Sequence, residues 1–145
     1  MKSREFYREM KKLLLPVLTP YGFVNTGSRK AVFYRQQTED VYHIIAPWLV
    51  GRGGQWFDLK VMVKSPTIDT DFAERFPDNF GSACTLTPNG LNLSDTHVFR
   101  GNKLEGLIRN FKNQAHPALI EHAIPALDQV KTLKDLRNSP LNRAR

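Results

Sequence analysis

Residues that could do nucleophilic chemistry are few in this sequence. A nucleophile must lie near a His that a carboxylate orients, and the sequence gives the residue types without the distances. The single Cys84 follows Ala83 and precedes Thr85, with no nucleophile motif around it. We therefore predict that Cys84 is a buried, inert thiol.

The four histidines are not spaced as metal ligands. No two are four residues apart, and His116 and His122 would lie on different sides of a helix. HExxH and CxxC patterns are absent. We predict no metal and no cofactor. One enzymatic alternative stays open, in which His43 or His97 lies within hydrogen-bond reach of a carboxylate in a partly apolar pocket.

Acid–base chemistry by paired carboxylates also stays open, because four acidic residues are close in sequence: Asp58, Asp69, Asp71 and Glu74. A phosphate-binding glycine loop is not expected. The glycine-rich stretch 51–54 lies between two predicted antiparallel strands, whereas such loops precede a helix.

One predicted β-hairpin, residues 41–64, must position most of these side chains. A two-residue turn centred on Arg52 and Gly53 would set Trp48 opposite Phe57. The same register collects apolar side chains on one face, pairing Ala46 with Leu59, Ile44 with Val61 and Tyr42 with Val63.

This register places a mixed set of side chains on the opposite face: Tyr34, His43, Trp56, Asp58, Lys60 and Met62, beside Val32, Ile45 and Leu49. One interpretation is that a helix from the C-terminal half covers the aliphatic part. The other is a binding groove, extended by Arg52 at the hairpin tip. The candidate binding residues are Tyr34, His43, Arg52, Trp56, Asp58 and Lys60, and no catalytic residue is assigned.

An amphipathic helix is predicted from Ser3, with an apolar stripe of Phe6, Met10, Leu13, Leu14, Val17 and Leu18. Ser3 is the expected N-cap. The opposite side carries Arg4, Arg8 and Lys11. These cations form either a stripe that faces phosphates or an ordinary solvated face shared with acidic neighbours.

The remaining elements are a strand at 31–36, which pairs Phe33 with Ile44, a short helix at 69–76 with an Asp or Thr cap, and a hairpin at 82–93. Helices follow from Lys103 and from Pro117, and Pro125 predicts either a kink or a fresh start. The predicted fold class is α+β. An antiparallel sheet of four to five strands carries an N-terminal helix and two to three C-terminal helices, packed mainly on one face. Residues 1–145 form one domain, with 138–145 a flexible basic tail.

Charge and composition narrow the function classes. The chain has 145 residues, a net charge of +7 and one cysteine, so no intramolecular disulfide can form. No apolar run approaches the ~20 residues of a membrane span, and the first ten residues are too charged for a secretory signal. We expect a cytoplasmic protein without a membrane partner, and the basic charge suits an anionic one. The oligomeric state stays open.

The order of these parts resembles an uncharacterised bacterial family of small α+β proteins, catalogued only as a domain of unknown function. The matching segments are Tyr21-Gly22-Phe23, Phe33-Tyr34-Arg35, His43-Ile44-Ile45, Trp56-Phe57, Ala123 to Leu127 and Leu133 to Leu136. The resemblance covers most of the chain. It implies a compact α+β fold and brings no activity and no catalytic residues.

The leading functional hypothesis is a non-catalytic binding module that recognises a protein or another macromolecule through the mixed sheet face and Arg52. Nucleic-acid binding is the first alternative, because aromatic rings interleaved with cations can stack bases. A small enzyme that uses a His–carboxylate pair is the second.

Overall fold

The computed structural model describes residues 1–51, 53–78, 83–92, 97, 99–101 and 103–143. For residues 142 and 143 it describes the backbone alone. Along the chain, a helix precedes four strands, a short helix, three strands and a helical C-terminal part. This order confirms the predicted α+β class. In the described part of the chain the sheet has seven antiparallel strands instead of four to five. The two additional strands, at Val24–Asn25 and Phe99–Arg100, are each two residues long, too short to show alternation in the sequence.

Helix α1 spans Ser3–Leu18 and buries one apolar stripe: Phe6, Met10, Leu14 and Leu18. Its four-residue spacing keeps these side chains on the face that meets the sheet. The N-cap is Lys2, whose side chain makes no capping bond, so Ser3 is the first helical residue and not the predicted cap. Pro16 lies within the helix, which continues to Leu18.

The strands are β1 Val24–Asn25, β2 Phe33–Thr38, β3 Val41–Val50, β4 Trp56–Lys64, β5 Cys84–Thr87, β6 Gly90–Asn92 and β7 Phe99–Arg100. β1 to β6 lie side by side in sequence order. β7 pairs with the start of β4, next to the part of β4 that pairs with β5. The predicted hairpin ends at 82 and 93 lie outside the described residues.

The central hairpin forms where predicted, but its register is shifted by one residue. Leu49 faces Phe57 and Trp48 faces Asp58, whereas the sequence predicted Trp48 opposite Phe57. The turn keeps its hydrogen bond from the Gly54 N–H to the Gly51 carbonyl at 3.2 Å. Gly54 adopts a left-handed conformation at φ 66°, and this extra residue on the β4 side is typical of a three-residue hairpin loop.

The predicted register between β2 and β3 is also wrong by one residue. Phe33 faces Ile45, not Ile44, because the turn lies one residue later than predicted, with Thr38 opposite Val41, and the register then shifts by one residue between Gln36 and Thr38. Side chains alternate along a strand, so a shift of one residue moves every β3 side chain to the other face of the sheet. His43 consequently leaves the predicted mixed face.

The first face of the sheet carries the main core. Phe57, Leu59 and Val61 of β4 pack with Ile45 against the apolar stripe of α1 and against the C-terminal helices. Burial of such side chains stabilises a fold by roughly 1.5–3 kcal/mol each.

The second face is covered over only part of its length. Helix α2, Thr70–Arg75, places Phe72 on a small core of Val32, Ile44, Ala46 and Met62. Asp69 caps this helix by accepting a hydrogen bond from the Phe72 N–H at 3.1 Å. The cover therefore comes from the helix after β4 and not from the C-terminal half of the chain.

The C-terminal helix runs from Leu104 to Asp128 through two π-helical turns. Its parts are α3 Leu104–Asn110, a π turn Phe111–Ala115, α4 His116–Ala118, a π turn Leu119–Ala123 and α5 Ile124–Asp128. The sequence predicted a new helix at Pro117 and a kink or a fresh start at Pro125, because proline lacks the N–H that an α-helix needs. Each π turn ends just before the dipeptide that contains Pro117 or Pro125 and moves the hydrogen bonds by one residue, so the helix continues.

Helix α6, Leu133–Asn138, is followed by a 3₁₀ turn at Pro140–Arg143, in which Leu141 is buried. These residues belong to the segment that the sequence predicted as a flexible tail. Within the described residues, no helix combines the length and apolar character needed to cross a membrane.

Candidate functional site

Three of the six predicted site residues lie together on the second face of the sheet. Trp56, Asp58 and Lys60 alternate along β4 and point to the same side. Tyr34 is on this face too, but its ring packs against Tyr42 and Phe76 beneath α2. His43 lies on the first face, and Arg52 lies outside the described residues.

Asp58 lies on the second face, outside the small core that α2 covers. It is 1% exposed, although it carries a carboxylate. Lys60 Nζ lies 3.4 Å from Asp58 Oδ2 and donates a hydrogen bond to Thr85 Oγ1 at 2.9 Å. A buried carboxylate needs such partners because burial without them costs several kcal/mol.

His97 is the second partner of Asp58. Its Nδ1 lies 3.0 and 2.9 Å from the two carboxylate oxygens. The side chain is 36% exposed, so the ring reaches from the buried carboxylate to solvent. A carboxylate that accepts the Nδ1 proton leaves the lone pair on Nε2, which is the tautomer of a general base.

Two tryptophans border the Asp58–His97 pair, and each lies beside a cation. Trp48 faces Asp58 across the strands and is 38% exposed, with Lys30 Nζ 4.9 Å from its ring centroid. The guanidinium of Arg100 lies 4.7 Å from the Trp56 ring. The second face thus presents aromatic rings and positive charge next to an acid–base pair.

A basic cleft opens between the start of α1 and the loop before β2. It has a volume of about 750 Å³ and is lined by five cations, Arg4, Arg8, Lys11, Arg29 and Lys30, with Ser3, Tyr7, Ser28 and Ala31. Among the described residues, no acidic side chain lines it. Within the part of the chain that the structure describes, these five cations make no salt bridge.

Lys30 joins the basic cleft to the second face, because it lines the cleft and lies over Trp48. Ala31, next to it, is buried with a positive φ of 54°. That conformation is uncommon for a residue other than glycine and indicates a loop held in place by its surroundings.

His43 belongs to a buried network on the first face. Its Nε2 lies 2.6 Å from the Val130 carbonyl, and Arg35 Nε donates to its Nδ1 at 2.9 Å. Arg35 also binds the Tyr21 carbonyl and Asp128. Desolvation by burial lowers the pKa of His43 to about 4. The network ties two strands to the ends of α1 and the C-terminal helix, which is a structural role.

The other candidates from the sequence also have structural roles. Cys84 is a free, buried thiol, and burial raises its pKa, as expected for an inert cysteine. Asp69 caps α2, and Asp71 lies 3.9 Å from Arg75 on the same helix. Among the described residues, no group of three or more His, Cys, Asp or Glu side chains could hold a metal ion.

Comparison of the chain with protein-family models, with curated proteins and with solved structures gave no match. The resemblance to a bacterial family therefore stays a prediction, and functional inference depends on the geometry of the site.

Sequence reasoning missed Trp48, Arg100 and the two loop cations of the cleft, and it named His97 only within the enzymatic alternative, without its partner Asp58. Trp48 was assigned to the core by the wrong hairpin register, and the run of glycines at 51–54 was the signal for a longer loop. His97 has no local signal, because it meets Asp58 from 39 residues away.

Proposed function

We propose that this protein binds single-stranded nucleic acid along the basic cleft and the adjoining tryptophans. The observation that carries the proposal is the convergence of five cations from two separate elements on one cleft, without an acidic partner in the described residues. The proposal narrows the macromolecule-binding module predicted from the sequence to an anionic polymer.

The cleft has the charge that a phosphate backbone needs. Arg4, Arg8 and Lys11 follow one side of α1 at three- and four-residue spacing, and Arg29 and Lys30 approach from the opposite loop. These like charges repel one another in the free protein. Phosphate groups bound in the cleft would neutralise them, and the nucleic acid would release its condensed counterions.

The tryptophans supply contacts for bases. Trp48 is exposed beside Lys30, so a strand with its phosphates in the cleft could stack a base on this ring. Stacking of this kind requires unpaired bases and contributes about 1–3 kcal/mol per base. Stacking therefore favours a single strand over a duplex.

The test is fluorescence anisotropy with labelled RNA and DNA strands of about 12 nucleotides, a length in the range that single-strand binders cover. If all five cations contact phosphates, the slope of log K against log salt approaches about −3.5, which weakens binding about 100-fold between 50 and 200 mM salt. The double variant R8E/R29E should bind at least about 10-fold more weakly with a shallower slope.

Arg109→Glu is the matched control, because Arg109 is an exposed cation on α3 and does not line the cleft. It makes one charge reversal at a distant site and should leave the salt slope almost unchanged. The single variant R8E also makes one charge reversal, but within the cleft. Equal losses of affinity for R8E and R109E would mean that net charge alone attracts the polymer. Affinity that does not respond to salt would contradict the proposal.

A further inference from the structure

We propose that the Asp58–His97 pair is a general-base site that cleaves RNA bound on the second face. The inference rests on the proposed function and assigns a substrate class, a chain with 2′-hydroxyl groups, to one part of the same surface. It concerns the described residues Asp58, Lys60, Thr85, His97 and Arg100.

The arrangement gives His97 the geometry of a base. Both oxygens of Asp58 lie within 3.0 Å of Nδ1, so the carboxylate holds the Nδ1 proton and leaves the lone pair on Nε2. Asp58 is itself fixed by burial and by Lys60. Asp58 is thus a positioning residue, and His97 is the residue that would touch substrate.

A purely structural role explains this arrangement less well. Asp58 already has an ammonium partner in Lys60, and a second partner from another strand region is not needed to neutralise one carboxylate. What the second partner adds is an oriented imidazole at the surface.

The surroundings suit a phosphodiester. Lys60 contacts Asp58, and Arg100 lies over Trp56 on the same face, so β4 and β7 each bring a cation to the face that carries the pair. Preorganised cations stabilise the additional negative charge of a pentacoordinate phosphorus. The basic cleft, which reaches this face through Lys30, would hold the rest of the strand.

The reaction is an internal transesterification. His97 Nε2 takes the proton of a 2′-hydroxyl, and the 2′ oxygen forms a bond to the adjacent phosphorus. The bond from phosphorus to the 5′ oxygen breaks, and the departing oxygen takes a proton from water. The imidazolium then returns its proton to solvent hydroxide, so the products are a 2′,3′-cyclic phosphate and a 5′-hydroxyl.

The experiment uses two labelled strands of one sequence, all RNA and all DNA. The DNA strand lacks the attacking hydroxyl and reports binding alone. Wild-type protein should cleave the RNA to a 2′,3′-cyclic phosphate and leave the DNA intact. His97→Gln should lower the cleavage rate about 10²–10⁴-fold while DNA binding changes less than about twofold.

His122→Gln is the matched control, because His122 is also a part-exposed histidine, lies on the C-terminal helix and has its Nε2 3.1 Å from the Pro88 carbonyl. It should cleave like the wild type. Added imidazole should restore cleavage to His97→Ala, which a role in folding alone would not produce. Asp58→Asn should lower kcat with little change in KM, as expected for a residue that orients the base.

The outcomes separate the two proposals. If the DNA strand binds and the RNA stays intact, the cleavage inference is overturned and nucleic-acid binding stands. If cleavage persists in His97→Gln, the nuclease activity does not come from this site and the inference is overturned as well. If neither strand binds, the proposed function fails, and the inference fails with it.

Discussion

At the scale of single residues, two histidines bonded to charged groups have opposite surroundings. His43 is fully buried between Arg35 and a carbonyl, whereas His97 extends from Asp58 to solvent. Both have partners that fix the ring, but of the two only His97 has a partly exposed side chain. Tertiary position, not residue type, therefore separates a structural histidine from a candidate base.

His43 makes the fold sensitive to acid. Its pKa of about 4 in the folded protein is below the unfolded value of about 6.5, so its contribution is complete above pH 6.5 and is lost as the pH falls towards 4. Between pH 7.5 and 5 the free energy of unfolding should drop by about 2 kcal/mol from this residue. Urea denaturation at both pH values measures the change.

The control for this prediction is a comparison of variants. His43→Gln should lose less stability on acidification than the wild type, since it has no ring to protonate. His116→Gln, at a histidine on the C-terminal helix, should keep the wild-type pH dependence. Identical acid sensitivity in all three proteins would contradict the assignment.

Gly54 sets the hairpin register, and its substitution should be costly. A Cβ at Gly54 would lie 2.7 Å from the Met1 carbonyl oxygen, and its φ of +66° is unfavourable for other residues. Gly53 has a similar φ of +69° with nothing within 4 Å. Gly53→Ala should cost about 1–2 kcal/mol for conformation alone, and Gly54→Ala should cost more. Equal losses of unfolding free energy for the two variants, measured by urea denaturation, would exclude a steric contribution at Gly54.

At the scale of elements, the strand register decides which side chains lie on which face of the sheet, and the capping of the ends contributes to the stability of the helices. The one-residue shift in β3 moved Trp48 to the second face and His43 into the core. The hydrophobic pattern could not distinguish the two registers because β3 is apolar on both faces, with Ile44 and Ile45 both buried.

The start of α6 provides a test of local stability. Thr132 Oγ1 accepts from the Asp135 N–H at 3.2 Å, and Asp135 Oδ2 accepts from the N–H groups of Lys131 and Thr132. These bonds lower the pKa of Asp135. Thr132→Ala should lower the free energy of unfolding by about 1 kcal/mol.

Ser3→Ala is the matched control for the capping prediction, because Ser3 is a hydroxyl residue at the start of α1 but is not its N-cap. Its effect on the free energy of unfolding should stay within about 0.5 kcal/mol. A loss as large as that of Thr132→Ala would show that the α1 start is capped by Ser3 after all.

At the scale of the whole molecule, the net charge of +7 is unevenly placed. Five cations meet in one cleft without an acidic partner in the described residues, so the folded protein carries local repulsion. An anionic ligand removes that repulsion and binds only the folded state, which must raise the thermal midpoint.

The thermal midpoint gives a test that needs no label. A single-stranded oligonucleotide at about 100 times its Kd should stabilise the fold by about 2.7 kcal/mol, which raises Tm by roughly 5–10 °C for a chain of this size. R8E/R29E should show a smaller rise with the same oligonucleotide. An unchanged Tm for the wild type would contradict binding to the native state.

The sequence by itself determined the fold class, the place of the central hairpin, the apolar stripe of α1 and the cap of α2. These features follow from local periodicity, turn residues and capping chemistry, which act over a few residues. Only the tertiary structure decided the register, the π turns before the prolines and the meeting of His97 with Asp58. Those depend on one loop residue, on rerouted backbone hydrogen bonds and on contacts between distant segments, and none of these leaves a periodic signal in the chain.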